Sequence, residues 1–333
     1  MLHGVLLMTL FACAAFYIGD TDMAKAISFS PMIVGIILGM LYANSLRNNL
    51  PETWTPGIAF CSKRILRLGI ILYGFKLTFQ DITAVGLPAI CIDAIIVVVT
   101  ICGGVLIGRL LKMDRGIALL TSVGSAAAIL GVESAIKVKP YKTAVAVSTV
   151  VIFGTISMFV YPILFRSGIF DLTPDQMGIM TGATIHEVAH VVGAGNAMGA
   201  TVSNSAIIVK MIRVMMLVPV LLVIRWNVAR EARRNPENDE FGRGKIQIPW
   251  FAILFLVVIC FNSLGLLSES TVAFLNNIDT FLLTIAMTAL GAETSIEKFK
   301  KAGFKPFILA SILYCWLIVG GYCLAKYLVP LLM

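Results

Sequence analysis

The residues of this chain best placed to do chemistry form one motif, His186–His190, which reads His-Glu-Val-Ala-His. On a continuous helix this spacing puts both imidazoles on one face, where they can hold zinc while the glutamate acts as general base. A catalytic zinc needs a third protein ligand, and neither His3 nor any cysteine offers a convincing one. Three interpretations remain: an intramembrane metalloprotease, a transporter site in which His186 and Glu187 bind a proton or orient an anion, and a polar cluster that closes a broken helix.

Other ionisable residues fall inside apolar stretches, where a charge costs several kcal/mol unless it is paired or hydrated. Outside the motif they are Asp93, Glu133, Lys210, Arg213, Asp279 and Glu293. Lys210 and Arg213 share a helical face, which suits an anionic substrate at Arg213. The alternative is that both cations lie near the membrane surface or pair with a glutamate for structure alone, and we favour it for Lys210. Asp93 and Asp279 are expected near the interface, with their carboxylates reaching toward water.

The sequence around these residues is that of a membrane protein. Of 333 residues, 59% are hydrophobic and 13% are charged, with mean hydropathy +0.93, whereas soluble domains carry roughly 25% charged residues. A spanning helix needs about 20 apolar residues. Eleven stretches approach this length, at 2–19, 28–46, 62–80, 86–108, 116–134, 143–165, 176–195, 203–226, 249–268, 273–295 and 306–330. We therefore predict an all-α membrane protein with about 9–11 transmembrane helices in a single polytopic domain, 1–333.

The excess of basic residues does not indicate nucleic-acid binding. The net charge is +8, but the basic residues lie in short loops, where lysine and arginine set orientation in a membrane. The richest loop, 227–248, mixes both signs of charge and is interpreted as a solvated cytoplasmic loop. The seven cysteines form no Cys-x-x-Cys pair, so they predict neither a disulfide framework nor a metal site, and no cofactor is expected.

The loop charges conflict with simple alternation at two stretches. With the N-terminus inside, Lys137, Lys139 and Lys142 fall outside while Asp171 and Asp175 fall inside. Both conflicts disappear if the fifth and seventh stretches enter from opposite sides and turn back. Both are rich in glycine and alanine, and irregular backbone at membrane depth is tolerated only around protein or a water-filled cavity. We therefore predict two broken or re-entrant segments that form a binding site, the alternative being ordinary spans packed through their glycines.

Three consecutive stretches near the start of the chain resemble three near its end. Laying Pro31 on Pro249 also places the Asn-Ser pair at 44–45 on the same pair at 262–263. One further shift of a single residue places Gly74 on Gly291. Because the loop charges give the second and ninth stretches opposite directions, we predict an inverted repeat, with halves at about 28–166 and 176–330.

Several longer motifs resemble those of a known bacterial family. They are Arg67–Phe79 (RLGIILYGFKLTF), Val151–Thr155 (VIFGT), His186–Ala189 (HEVA), Lys210–Leu217 (KMIRVMML), Pro249–Phe255 (PWFAILF) and Asp279–Leu283 (DTFLL). They look like the YeiH-like sulfate exporters, which are multi-pass proteins of the bacterial inner membrane, and the resemblance covers nearly the whole chain. It implies transport of sulfate or a similar anion. The family pattern is about one helical turn longer at the fifth stretch and commonly has glutamine at the position of His190.

Together these features predict a secondary transporter, not an enzyme, that exports a small anion such as sulfate or sulfite by alternating access. The alternatives are the zinc protease and a channel or carrier for another solute. Predicted substrate-binding residues are Gly124, Ser125, Thr184, His186, Glu187 and Arg213, and candidates for a coupling proton or cation are His186, Glu187, Glu133 and Glu293. The metal candidates are His186 and His190, and no bound metal is predicted. The chain is expected in the lipid bilayer of the inner membrane with its N-terminus in the cytoplasm, and the sequence indicates no oligomeric state.

Single cysteines at positions 139 and 171 distinguish re-entrant stretches from simple alternation. In a variant without the seven native cysteines, re-entrant stretches leave Lys139→Cys inside and Asp171→Cys outside, because neither stretch crosses. A membrane-impermeant maleimide added to intact cells should modify the cysteine at 171 and spare the one at 139. The opposite pattern would establish ordinary alternation.

Overall fold

The chain is helical throughout the part that can be described. The computed structural model describes residues 1–21, 30–45, 51–136, 138, 140–234, 249–294 and 303–332, and these ranges contain no strand. The helices are α1 (Leu2–Gly19), α2 (Pro31–Ser45), α3 (Thr55–Phe60), α4 (Leu66–Tyr73), α5 (Phe79–Leu110), α6 (Arg115–Val123), α7 (Ala126–Ile136), α8 (Pro140–Arg166), α9 (Pro174–Thr184), α10 (Val188–Met198), α11 (Ala200–Arg234), α12 (Trp250–Ser263), α13 (Glu269–Glu293), α14 (Phe304–Cys323) and α15 (Val329–Leu332). Lys137, Lys139 and most of the loop 227–248 lie outside the described residues.

Helix occupies most of the described residues in each of the eleven predicted stretches, so the all-α membrane fold is confirmed. Six helical segments of the described chain are long and apolar enough to span a bilayer: α1, α5, Tyr141–Arg166, Ala200–Ile224, α13 and Phe304–Leu332. The helices α2 and α12 are apolar but shorter. A π-helical turn, Cys61–Ile65, joins α3 to α4. The remaining two stretches are broken helices, α6–α7 and α9–α10.

The chain divides into two compact units. The first contains Met1–Ala84, Val192–Asn204 and Trp250–Glu297. The second contains 85–191, 205–249 and 298–333. The helices α2, α4, α12 and α13 belong to the first unit, and both helix breaks belong to the second.

In the first unit, α2 and α13 run in the same direction at very close range. Gly35 lies against Thr284 and Thr288, and Gly39 lies against Thr288 and Gly291. Residue numbers therefore rise together along the two helices. A Cβ atom on Gly39 would overlap the backbone of α13, so glycine is required for this approach.

The helix α4 runs antiparallel to α13. Gly69 packs on Leu283, and Lys76, in the 3₁₀ turn that follows α4, forms a 2.8 Å ion pair with Asp279. The residue numbers therefore rise along α4 as they fall along α13.

The helix α12 in turn runs parallel to α4, because Gly74 packs on Phe255 and Asn262 reaches the Leu77 carbonyl. Since α2 is parallel to α13 and α12 is antiparallel to it, α2 and α12 run in opposite directions. These are the helices that begin at Pro31 and immediately after Pro249. The predicted inverted repeat is therefore confirmed for this pair.

Two asparagines related by the repeat make reciprocal contacts. Asn262 donates to the Leu77 carbonyl at 2.9 Å and the Phe75 carbonyl at 3.2 Å, and Asn44 donates to the Thr294 carbonyl at 3.2 Å. The repeat alignment places Asn44 on Asn262 and Leu77 on Thr294. Each half of the repeat therefore supplies donors to carbonyls at the end of the other half's next helix, which is the signature of a two-fold relation.

In the second unit, the first broken helix returns to the end from which it starts. Asp114 caps α6 by accepting from the Ile117 amide at 3.0 Å, and it also binds Lys142 near the start of α8 at 2.7 Å. The start of α8 therefore lies beside the start of α6. The break is at Gly124, whose φ of 70° is left-handed and unstrained for glycine. The Ser125 hydroxyl then caps α7.

The second broken helix opens at the other end of α8. Thr173 and Gln176 form a capping box at the start of α9, and Asp175 accepts from the Ser205 hydroxyl, near the start of α11, at 3.1 Å. The break is at 185–187. Because α8 has 27 residues and is roughly 40 Å long, the two hairpins enter from opposite ends. The predicted pair of broken segments is confirmed.

Two carboxylates outside the spanning helices form ion pairs, Asp114 with Lys142 and Asp171 with Lys326. Burial of Asp114 opposes ionisation, but hydrogen bonds from Lys142 and the Ile117 amide hold the pKa of its carboxyl below the usual value. The Lys326 ammonium, 2.7 Å from Asp171, lowers the pKa of the Asp171 carboxyl. Both carboxylates are therefore ionised at neutral pH.

Replacing Asn262 with alanine should destabilise the protein by about 1–2 kcal/mol, because two carbonyls lose a donor in apolar surroundings. Asn44→Ala should cause a loss of the same order, since it removes the symmetry-related bond. Thermal unfolding in detergent measures both changes.

Ser311→Ala is the control, because the one hydrogen bond of this hydroxyl to described residues goes to the Phe307 carbonyl, one turn back in its own helix. Its unfolding midpoint should match that of the wild type. Equal midpoints for Asn262→Ala and Ser311→Ala would show that the reciprocal contacts contribute no stability.

Candidate functional site

Two cations from α11 bind the backbone at the second helix break. Lys210 Nζ donates to the Ile185 carbonyl at 2.5 Å, and the Arg213 guanidinium donates to the Ala183 carbonyl. Carbonyls at the end of a helix have no partner within it and need another donor when water is excluded. Lys210 is 1% exposed and Arg213 is 7% exposed. Of the two alternatives given for Lys210, the structure favours a structural contact over a place at the surface, because the broken end of α9 supplies a buried acceptor.

Two cavities in the second unit border the first helix break. One is lined by Ser125, Lys210 and Arg213 among apolar side chains. The other is lined by the backbone of Gly124 and by the polar side chains of Thr100, Thr121, Thr149 and His186. The guanidinium of Arg213 also lies next to Gly124. The structure thus brings Gly124 and Ser125 of the first break together with His186 of the second and with Arg213.

Buried polar atoms at the second cavity lack partners within the described chain. Thr121 Oγ1 and His186 Nδ1 have no hydrogen bond there, although the side chains are 3% and 5% exposed. Buried polar groups are normally bonded to protein or to ordered water. A small polar guest in this cavity would therefore satisfy groups that the protein itself leaves open.

The His-Glu-x-x-His motif does not form the helical zinc arrangement. The segment 185–187 is non-helical and α10 begins only at Val188, so His186 and His190 do not share a helix face. The His190 ring packs on Gly154, with Nε2 3.3 Å from the Thr155 hydroxyl and Nδ1 3.5 Å from Glu187. No group of three His, Cys, Asp or Glu side chains that could hold a metal occurs among the described residues.

Thr184, a predicted substrate residue, is engaged within the protein. Its hydroxyl donates to the Met180 carbonyl at 2.6 Å and lies 3.0 Å from the Tyr161 hydroxyl. Tyr161 is fully buried on α8. A hydroxyl has one proton to donate, and Thr184 donates its proton to Met180. The Tyr161 hydroxyl therefore donates to Thr184, and this bond holds the end of α9 to α8.

The sequence belongs with a group of bacterial membrane proteins. The profile of a family described as conserved hypothetical protein 698 matches residues 3–310. The chain belongs to this family. A UPF0324 membrane protein of Bacteroides thetaiotaomicron is 71% identical, with 100% of both chains covered. UPF0324 membrane proteins of Bordetella pertussis (42% identical, 98% of this chain and 94% of the relative) and Neisseria meningitidis serogroup A (41%, 96% and 95%) are similar over almost their full lengths.

Membership of the conserved hypothetical protein 698 family agrees with the resemblance to YeiH-like proteins. The relatives' names describe membrane proteins, and the helices of this chain are long and apolar enough for several crossings. The chain is therefore a multi-pass membrane protein.

The four predicted coupling residues lie on different elements of this family member. His186 and Glu187 lie at the second break, and Glu133 is half-buried on α7, two turns past the first break. Glu293 ends α13 and belongs to the first unit. The second break thus holds two of the four candidates, His186 and Glu187. A third, Glu133, lies on the helix that follows the first break.

Asp93 lies buried beside the cations of the candidate site, so its expected interfacial position is wrong. It is 0% exposed, not interfacial, and it interacts electrostatically with Arg213 and Lys210. The predicted stretch starts at 86, which puts Asp93 near its end. The helix α5 instead begins at Phe79 and has 32 residues, so Asp93 falls near its middle.

Asp279 is likewise buried at 0% exposure, so its expected interfacial position is wrong. Its partner is Lys76, which also donates to the Thr280 hydroxyl at 3.1 Å and lies over the Tyr73 ring at 4.6 Å. Asp279 falls in the middle third of α13, because this helix begins at Glu269, before the start of the predicted stretch at 273.

Gly154→Ala should destabilise the protein by about 1–3 kcal/mol, because the added methyl group collides with the His190 ring in a packed region. Gly103→Ala is the matched control. It is also a helical glycine, but a Cβ there meets open space, so the substitution should be neutral or stabilise α5 by up to about 1 kcal/mol.

Thermal unfolding in detergent compares these variants. Adding His190→Ala to Gly154→Ala should recover part of the loss, because the smaller side chain makes room for the methyl group. Equal stability of Gly154→Ala and Gly103→Ala would contradict the packing of His190 on α8.

Proposed function

We propose that this protein is a secondary transporter that moves a small anion, such as sulfate or sulfite, across the bacterial inner membrane by alternating access. The observation that carries the proposal is the meeting of two helix breaks, in hairpins that enter from opposite ends of α8, at the buried cations Lys210 and Arg213. Broken helices at mid-depth and inverted repeats are the means by which many secondary transporters hold and expose a substrate. The family resemblance supplies the choice of anion.

The two cations retain donors for an anion. A guanidinium has five N–H donors and an ammonium has three. Within the described residues, Arg213 donates to Ala183 and Lys210 donates to Ile185. Lys210 and Arg213 both line the cavity that Ser125 also lines, so their remaining N–H donors are available at that cavity. A tetrahedral oxyanion can accept several charge-assisted hydrogen bonds at once, and these are stronger than bonds between neutral groups.

The backbone around the breaks also favours negative charge. After the breaks, α7 begins at Ala126 and α10 begins at Val188, so the positive ends of two helix dipoles start there. Gly124 lets an anion approach the backbone closely, since it carries no side chain. The C-terminal end of α9, which is the negative end of its dipole, is already neutralised by its bonds to Lys210 and Arg213.

The proposed roles follow from these positions. Arg213 and Lys210 supply positive charge, and Ser125 and His186 line the site. His186 and Glu187 carry a proton or orient the substrate, and a proton or cation couples transport. The loop charges favour a cytoplasmic N-terminus.

Flux of labelled sulfate and sulfite into proteoliposomes tests the proposal. Wild-type protein should give saturable uptake, and Arg213→Ala should reduce it by at least about 10-fold, the value of one lost charge-assisted hydrogen bond. Arg213→Lys should retain more flux than Arg213→Ala, because it keeps the charge. Arg109→Ala, at the exposed end of α5, is the control and should transport like the wild type.

Two outcomes contradict this assignment. Absence of flux for both anions would remove the substrate class, and unchanged flux in Arg213→Ala would remove the site. Unlabelled anion trapped inside the vesicles should accelerate labelled uptake by a carrier. Uptake without this acceleration and without saturation would identify a channel instead.

A further inference from the structure

Asp93 is a buried carboxyl group to which the anion site gives no role. It lies near the middle of α5, and neither of its oxygens has a hydrogen-bond partner within the described ranges. Burying an ionised carboxylate without hydrogen bonds is costly. Such a group is retained where it faces an opposite charge or takes up a proton.

Asp93 shares a helix face with the walls of both cavities. Val97, one turn along α5, lines the cavity that holds the two cations. Thr100, two turns along, lines the cavity at the first break. Side chains at positions i, i+4 and i+7 lie on one face of a helix, so Asp93 belongs to the face of α5 that borders the site.

The charges around the site balance before any anion binds. Among the described residues, the charged groups that act on Asp93 are Arg213 and Lys210, both from α11. Glu187 acts on Lys210, and the cations in turn act on the two histidines of the motif, neither of which acts on Asp93. Two cations thus face two carboxylates, and an incoming anion adds negative charge. Protonation of Asp93 removes negative charge from the same site.

We propose that Asp93 is the proton-coupling group of the anion site. Its carboxylate and the transported anion compete for Arg213 and Lys210. Binding of one anion is therefore accompanied by uptake of one proton onto Asp93 from the same solution, and release of the anion returns that proton. Anion and proton move together. This inference rests on the proposed function; it makes the coupling ion a proton and assigns it to Asp93, which leaves His186 and Glu187 to orient the substrate.

Sulfate binding to the purified full-length protein, measured by calorimetry between about pH 5.5 and 8.5, tests the coupling. Sulfate is the probe because it keeps the same charge throughout this range, whereas sulfite titrates within it. At pH values where Asp93 is ionised in the free protein and protonated in the complex, the wild-type affinity should fall about 10-fold for each added pH unit. Buffers of different ionisation enthalpy should report uptake of about one proton per sulfate bound.

Asp93→Asn removes the charge and keeps the shape. It should bind sulfate with an affinity independent of pH, at least as tightly as the wild type at low pH, and without proton uptake. Asp171→Asn removes an exposed carboxylate outside the site and should keep the wild-type pH dependence. Proton uptake that persists in Asp93→Asn overturns the assignment to Asp93.

The wild-type measurement keeps the proposal testable even if Asp93→Asn folds poorly. Sulfate binding by the wild type with neither pH dependence nor proton uptake overturns the coupling while the proposed function stands. Failure of both sulfate and sulfite to bind at every pH overturns the proposed function and this inference with it.

Discussion

A helix that stops inside a bilayer leaves carbonyl groups that only the protein can satisfy. At the end of α9 this need is met by Lys210 and Arg213, which bind the Ile185 and Ala183 carbonyls. The requirement explains why two positive side chains lie buried on α11, and their charge in turn requires compensation, which Asp93 and Glu187 provide. The charge of the site therefore follows from the break in the helix. Substitution of either cation alters backbone geometry and electrostatic potential together.

Symmetry organises both units at the level of single contacts. In the first unit, Asn44 and Asn262 each bond carbonyls at the end of the helix that follows their counterpart in the repeat, so neither half is complete alone. In the second unit, each hairpin starts at an aspartate that also holds the next long helix, Asp114 through Lys142 and Asp175 through Ser205. The breaks follow these aspartates by about three helical turns in both hairpins. Equal arm lengths bring the two breaks to a similar depth along α8.

Much of the fold could be predicted because a bilayer imposes few and strong rules. Span length, loop charge and the clustering of small residues were enough to locate the helices, the two broken segments and the opposed directions of α2 and α12. The site was harder. Asp93 and Asp279 were misplaced because α5 and α13 begin several residues before their apolar stretches. The role of Lys210 was invisible, since its partner is a backbone carbonyl and carries no signature in the sequence.

The broken helices also constrain how the protein enters the membrane. The arms α6 and α9 have 9 and 11 residues, roughly half of what a segment needs to cross the hydrocarbon layer. Neither arm is long enough to insert as a helix on its own, and its free carbonyl end would meet lipid rather than a donor. Each hairpin must therefore be accommodated together with, or after, the long helix to which its aspartate binds. Assembly of α8 and α11 in the bilayer thus precedes completion of the site, although α6 is synthesised before α8 and α9 before α11.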